Sequence, residues 1–351
     1  MKTALCKILA GLVLLGMICA EAGADKLKVV TTLPDYASLA KAIGGDRVSV
    51  SYIVRGDQDA HFIRPKPSFA QMVRQADVLI DTGLDLETWL PTVVDTSGNR
   101  KVRSGQPGYV SASYGMHLLE KPKQLSRSEG GLHIYGNPHV TGSPVMMKIA
   151  ARNIASGLIK NDPGGKQSYL QNLEKLQNKL DSRLFGEPLV KAVGGDTLCS
   201  LAEQGKLIAF LRSKEYKGKP MTGPLGGWMK EMLPLHGTEI VTYHKSWVYF
   251  CRLFGLKEAD TVEPKPGIPP SAKHVAELIK TMRERKIRIL LAENYFPRNE
   301  VMDIAEKVNA EPVVVPLYVE GARGVDDYFE LVDLWVDSLV KAGKRAGLVK
   351  N

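Results

Sequence analysis

Residues 76–82 read ADVLIDT, with Val78, Leu79 and Ile80 apolar in succession and Asp81 and Thr82 closing the run. A strand that is apolar at every position, not at alternate ones, is buried on both faces, as in a parallel sheet covered by helices. Working outward from it, residues 27–32 (LKVVTT) form a strand that Pro34 stops. A helix is expected at 36–43, ending at Gly44-Gly45, then an alternating strand at 48–54 and a helix at 68–75. On the far side come a helix at 86–94 and a shorter strand at 109–112. This alternation predicts a parallel α/β domain.

Residues 120–135 are a polar connection without periodicity. Two helices follow. The first is announced by Ser143-Pro144, a capping hydroxyl and a fixed φ, before the apolar-periodic run 145–158. The second opens at Asn161-Asp162-Pro163 and carries Tyr169, Leu170, Leu173, Leu176, Leu180 and Leu184 on one stripe. Beyond Gly186 the alternation is expected to resume, with strands at 239–243, 287–292 and 312–316 and helices at 271–284, 300–307 and 326–342. Residues 190–235 are the least legible and read as an insertion. The expected organisation is a signal peptide at 1–24, an α/β lobe at 25–160, a linking helix at 161–186 and a second α/β lobe at 187–351.

The signal peptide rests on Lys2 and Lys7, the apolar run 8–20, and Ala22-Gly23-Ala24, a small-x-small cleavage site. The run is short for a membrane span, and cleavage after Ala24 is preferred to a lipid anchor on Cys19, which lacks a small residue beside it. The expected protein is exported, periplasmic or otherwise, with no transmembrane segment after cleavage. The net charge of +9 is dispersed, which argues for a solvated surface and against nucleic acid as a partner. Cys199 and Cys251 remain in the exported chain, either as a disulfide or as two buried thiols.

Three loops that follow or adjoin expected strands carry histidines: His61, His139 and His244. His139 lies in GNPHVTGSP (136–144), where Pro138 biases Asn137 to extended backbone and the helix start at Ser143 stiffens the other side. Ligands of open α/β sheets bind beyond the carboxyl ends of strands, where these loops should lie. Each histidine is either a metal ligand or a hydrogen-bonded loop residue, and the matched contexts favour a shared site. His236 and His274 read as structural; His133, six residues before His139, could pass metal to the cleft. Trp247, Tyr249 and Phe250 either wall the site or pack in the core.

With these residues in hand, the chain resembles the zinc- and manganese-type solute-binding proteins of ABC importers, the cluster 9 family. The similar features are Asp59-Ala60-His61 with Pro67-Ser68, Asn137-Pro138-His139, Tyr243-His244, and Glu293-Asn294-Tyr295-Phe296. Thr141 stands where members often have tryptophan, and the long histidine-rich loop of many zinc members is represented only by His117 and His133. The resemblance implies two Rossmann-like lobes joined by a long rigid backbone helix, with one metal in the cleft. It implies His61, His139 and His244 as ligands and Glu320 as the fourth, with Glu293 as the competing fourth ligand or as a residue orienting a histidine. Three imidazoles and one carboxylate suit tetrahedral Zn2+, whereas manganese members resemble two histidines with two carboxylates. The implied role is binding of Zn2+, with Mn2+ the alternative, and delivery by a monomer to an ABC permease and its ATPase in the inner membrane, without catalysis. A zinc-dependent hydrolase with an open coordination position and Glu293 as base is the rival reading.

Overall fold

The protein is described from a computed structural model, which places residues 25–122, 133–216, 218–265 and 267–349; the expected signal peptide at 1–24 lies outside these. The first sheet is built from β1 (Leu27–Thr31), β2 (Val48–Tyr52), β3 (Val78–Asp81) and β4 (Tyr109–Ser111). All pairs are parallel, in the order β2-β1-β3-β4. Helices α1 (Pro34–Gly44), α2 (Pro67–Arg74) and α3 (Leu90–Ser97) connect them, each with proline in its first turn, where no amide hydrogen is needed. β3 is buried at all four positions, the environment its sequence called for. Helix α3 starts later than expected because Glu87 is held in the preceding turn, accepting from the Thr32 and Thr82 hydroxyls at 2.6 and 2.8 Å.

Two long helices follow, α4 (Pro144–Asn161) and α5 (Lys166–Phe185). Ser143 caps α4 through the Met146 amide. The two helices part at Asn161-Asp162-Pro163 as expected, but the second begins a few residues later. Asp162 turns away to accept from Arg47 at 2.8 and 2.9 Å and from the Tyr169 hydroxyl at 2.6 Å, and a tight turn at Pro163–Gly165 precedes α5. At 20 residues α5 is about 30 Å long, and its buried stripe includes Tyr169, Leu176, Leu180 and Leu184.

The alternation does not resume at Gly186. Helices α6 (Glu187–Val193), α7 (Gly195–Glu203) and α8 (Leu207–Ser213) come first, then a small antiparallel hairpin of β5 (Glu215–Tyr216) and β6 (Lys219–Pro220), and α9 (Gly227–Met232). Leu189, Leu198, Leu207 and Leu211 are buried beneath this block. The second parallel sheet contains β7 (Glu239–Thr242), β8 (Lys257–Thr261), β9 (Ile289–Glu293) and β10 (Glu311–Val315), in the order β10-β9-β7-β8. It alternates with α10 (Val248–Phe254), α11 (Ala272–Glu284), α12 (Arg298–Val308) and α13 (Tyr328–Arg345).

One apolar core runs from the first sheet through α4 and α5 to α13 and the near face of the second sheet, where Ile289 and Leu291 point. Leu290 and Ala292 point to the opposite face, into a smaller core with α11 and α12. Across the gap between the sheets, Gly56 packs backbone to backbone on Gly321: a Cβ on Gly56 would lie 2.1 Å from the Val319 carbonyl oxygen. Cys199 and Cys251 are both free, buried thiols. Cys199 lies against Lys148, whose ammonium donates to Asp181 at 2.7 and 2.9 Å and to Asp196 at 3.0 Å. Burial pushes the Cys199 thiol up to about 12. Among the described residues no helix is long and apolar enough to cross a membrane.

Candidate metal centre

Every strand of both sheets is parallel, so all loops beyond their carboxyl ends gather at one edge of each sheet, and the two edges face each other. The His61 loop follows β2. Asp59 accepts from the His61 amide at 2.9 Å and so fixes the turn Ala60–Phe62, while the Trp89 indole donates to the Ala60 carbonyl at 2.8 Å. Asp85 follows β3 and holds the start of the next histidine segment, accepting from the Ile134 amide at 2.8 Å. His139 is fixed by Asn137, whose Oδ1 accepts from the His139 amide at 3.0 Å. His244 follows β7, and Glu263, following β8, donates its amide to the Tyr243 carbonyl at 2.8 Å.

These loops bring four imidazoles together: His61, His133, His139 and His244, one nitrogen from each, all within 4.8 Å of one another. The rings of His61 and His139 are 5.0 Å apart, and those of His139 and His244 5.1 Å. The four share one feature. Each Nδ1 faces an acceptor oxygen: Asp59 for His61 at 2.7 Å, Asp85 for His133 at 3.1 Å, Asn137 for His139 at 3.0 Å, and Glu263 for His244. Those partners place the hydrogen on Nδ1 and leave the Nε2 lone pair directed inward.

The inward nitrogens are not otherwise satisfied. The Nε2 atoms of His139 and His244 are buried without a hydrogen-bond partner. Those of His61 and His133 lie 3.2 Å apart, two lone pairs at a distance that only a shared cation or proton makes favourable. Four nitrogens at about 2.0–2.1 Å from a tetrahedral zinc would be spaced by about 3.3 Å. One pair near that spacing and two orphaned buried acceptors, all four nitrogens within 4.8 Å of one another and backed by three carboxylates, fit a divalent cation.

Electrostatics agrees. Burial, with the neighbouring imidazoles, holds His139 well below the ordinary histidine range. Burial also lowers His244, against the pull of Glu263. Burial pushes the Asp59 carboxyl up, but the hydrogen bonds from His61 outweigh it and leave Asp59 below its usual value; Asp85 behaves likewise with His133. A neutral His139 and His244, with Asp59 and Asp85 ionised, are protonation states that suit a cation. His139 and His244 are buried floor residues, at 2% and 5% exposure, while the side chains of His61 and His133 are 14% and 11% exposed and form the open side.

Of the residues expected from sequence, His61, His139 and His244 are in the group, and Glu320 and Glu293 are not. Glu320 follows β10 with φ of 61°, and its carboxylate accepts from the Tyr52 hydroxyl and lies 3.9 Å from the Lys41 ammonium. Glu293 ends β9 fully buried beside Ser246 and Trp247, and burial pushes its carboxyl up to about 8. The fourth member is His133, which sequence reasoning treated as a way station. Its signal was its place just before the His139 loop; what could not be read was that Asp85 would pin it. Trp247 and Phe250 pack edge-on against Trp335 in the core, and Phe296 is the aromatic ring near His244, at 6.2 Å. Thr141, where tryptophan was anticipated, is buried, with its carbonyl accepting from the Tyr328 hydroxyl at 2.7 Å.

Residues 29–183 and 224–342 match the family described as zinc-uptake complex component A, periplasmic (ZnuA). The unmatched stretch between them holds α6, α7, α8 and the β5–β6 hairpin and overlaps the region 190–235 read as an insertion. The chain is 23% identical over 300 residues to the high-affinity zinc uptake system protein ZnuA of Bacillus subtilis, covering 84% of this chain and 80% of that one. It is 25% identical over 323 residues to the manganese ABC transporter substrate-binding lipoprotein PsaA of Streptococcus pneumoniae, covering 89% and 87%. The iron-binding protein YfeA of Yersinia pestis is 23% identical over 325 residues, covering 91% and 86%. A crystal structure of ZnuA superposes with a TM-score of 0.66 at 21% identity, covering 91% of this chain and 99% of that one, which shows the two-lobed fold.

Proposed function

Because this chain belongs to the ZnuA family of periplasmic zinc-uptake components, we propose that it captures Zn2+ outside the inner membrane and delivers it to an ABC permease and its ATPase. The observation that carries the choice of zinc is the donor set: four imidazole nitrogens, each oriented by an oxygen acceptor on its other nitrogen. Nitrogen-only tetrahedral sites suit zinc, whereas manganese favours more oxygen ligands and higher coordination. The manganese reading draws on relatives such as PsaA and needs a carboxylate, Glu320 or Glu293, to enter the group.

His61, His133, His139 and His244 hold the ion in this reading. The solute-binding proteins of this family are not enzymes, and four protein nitrogens leave a tetrahedral zinc no position at which to activate water, which argues against the hydrolase. Export would proceed through residues 1–24, and the protein would act as a monomer with its two lobes closing the site.

Titration of chelator-stripped protein with zinc and with manganese at neutral pH is the test. The expected result is one zinc per chain and much weaker manganese binding, both lost when His61, His139 and His244 are replaced by alanine. Zinc binding that survives the triple substitution, or a preference for manganese, would refute the reading.

A further inference from the structure

The metal group draws His133 and His139 from segments beside the first sheet and His244 from the second, so its geometry depends on how the two halves are held. On one flank they meet through glycine backbones, Gly56 on Gly321. On another, the contact is made by side chains. Asn137, 3% exposed, orients His139 through Oδ1 and uses Nδ2 twice, donating to the Lys245 carbonyl at 2.8 Å and to Glu120 Oε2 at 3.0 Å. The other oxygen of Glu120 accepts from the Lys245 ammonium at 3.0 Å. Lys245 directly follows His244. A closed ring of Glu120, Asn137 and Lys245 therefore ties the residue that orients one ligand to the residue adjoining another.

Two further observations mark this ring as more than a surface ion pair. Glu120 has φ of 50°, a left-handed backbone conformation that a residue with a Cβ rarely adopts; both its carboxylate oxygens are engaged in the ring. The segment is also supported from beneath by Tyr249, whose hydroxyl donates to the Asn137 carbonyl at 2.6 Å and accepts from the Leu119 amide at 3.1 Å. The Asn137 amide in turn donates to the Leu119 carbonyl at 2.8 Å. By contrast, the side chains of Lys245 and Glu120 are 47% and 33% exposed, so water and salt reach the ion pair.

We propose that Glu120 and Lys245 form an interlobe latch that positions His139 against His244 and whose opening sets the rate of metal release. The inference rests on the metal-binding reading above. Both are positioning residues: neither side chain touches the four inward nitrogens. A partly exposed ion pair is strong enough to bias two arrangements and weak enough to part without unfolding anything.

The test is chelator-driven release of zinc from the full chain by rapid mixing, for the unsubstituted protein, Glu120→Ala, Lys245→Met and the double variant, at about 50 mM and about 500 mM salt. Each single variant is expected to release zinc about 3- to 10-fold faster at low salt, with one-to-one binding retained. The double variant should be no faster than the faster single one, as for two residues of one interaction. Salt should accelerate release from the unsubstituted protein and leave Lys245→Met unchanged, a response that general destabilisation does not produce. Glu120→Gln, which keeps an acceptor for Asn137 without the charge, should fall between. Zinc held one-to-one with release rates equal in all variants, or with additive effects, overturns the latch alone. An unsubstituted protein that holds no zinc overturns the metal-binding reading, and the latch with it.

Discussion

Replacing His133 by alanine should cost about two orders of magnitude in zinc affinity, and replacing Glu320 should cost almost nothing. The contrast matters because family resemblance points to Glu320 as the fourth ligand, while the geometry points to His133. In the structure the His133 Nε2 is 3.2 Å from that of His61, close to the edge of a zinc tetrahedron, and Asp85 holds the ring from behind at 3.1 Å. Four-ligand structural zinc sites bind with about 10–16 kcal/mol, or about 3 kcal/mol per ligand, and water entering the vacated position restores part of that. The expected net loss is about 2–3 kcal/mol, some 30- to 150-fold. Glu320 is already committed to the Tyr52 hydroxyl and Lys41, so Glu320→Ala should change the dissociation constant by less than about threefold. Competition against a chromophoric chelator at neutral pH measures both. Unchanged affinity in His133→Ala together with a large loss in Glu320→Ala would refute the four-histidine reading and restore the carboxylate.

Three further outcomes follow from the same contacts. Glu263→Gln weakens the acceptor behind His244 Nδ1 and should reduce zinc affinity by about 10- to 100-fold without changing stoichiometry, measured by the same competition. Lys148→Met leaves Asp181 buried and uncompensated and should destabilise the fold by about 3–5 kcal/mol in denaturant titration, with zinc affinity at low denaturant preserved. Glu258 concerns pH. Burial first of all pushes its carboxyl up from 4.5 to about 7, so its stabilising contribution is full below pH 4.5 and lost as pH rises through about 7. Glu258→Gln keeps the acceptor for the Thr242 hydroxyl and removes that loss, so the variant should gain up to about 3 kcal/mol relative to the unsubstituted protein between pH 5 and pH 8. An identical pH dependence of unfolding in the two proteins would contradict the burial of an ionisable group there.

Seven of the eight described parallel strands were legible in the sequence because they are short, apolar and punctuated; β8 (KEADT), a charged strand at the edge of the second sheet, was not. Residues 78–81 and 289–293 could hardly be anything but buried parallel strands, and proline at the first turn of α1, α2, α3 and α4 marks where helices begin. The break between α4 and α5 was legible from Asp162-Pro163, but the turn that delays α5 to Lys166 was not, because Asp162 is engaged by Arg47, 115 residues away. The run of helices at 187–232 was missed for a related reason: short amphipathic helices are specified by the surface they cover, here α5 and α10, and have little periodicity of their own.

The sequence by itself determined where three histidines would stand, since a strand end, a stiff turn and a helix cap are local instructions. It could not determine which fourth side chain would join them. That choice was made by Asp85, which pins His133, and by Tyr52 and Lys41, which engage Glu320. Asp85 comes from another loop of the first sheet, and Tyr52 and Lys41 meet Glu320 from the side of the opposite sheet, so their approach depends on how the two sheets pack across the cleft. Ligand identity at a metal site is a matter of tenths of an ångström, and only the tertiary structure fixes distances that fine.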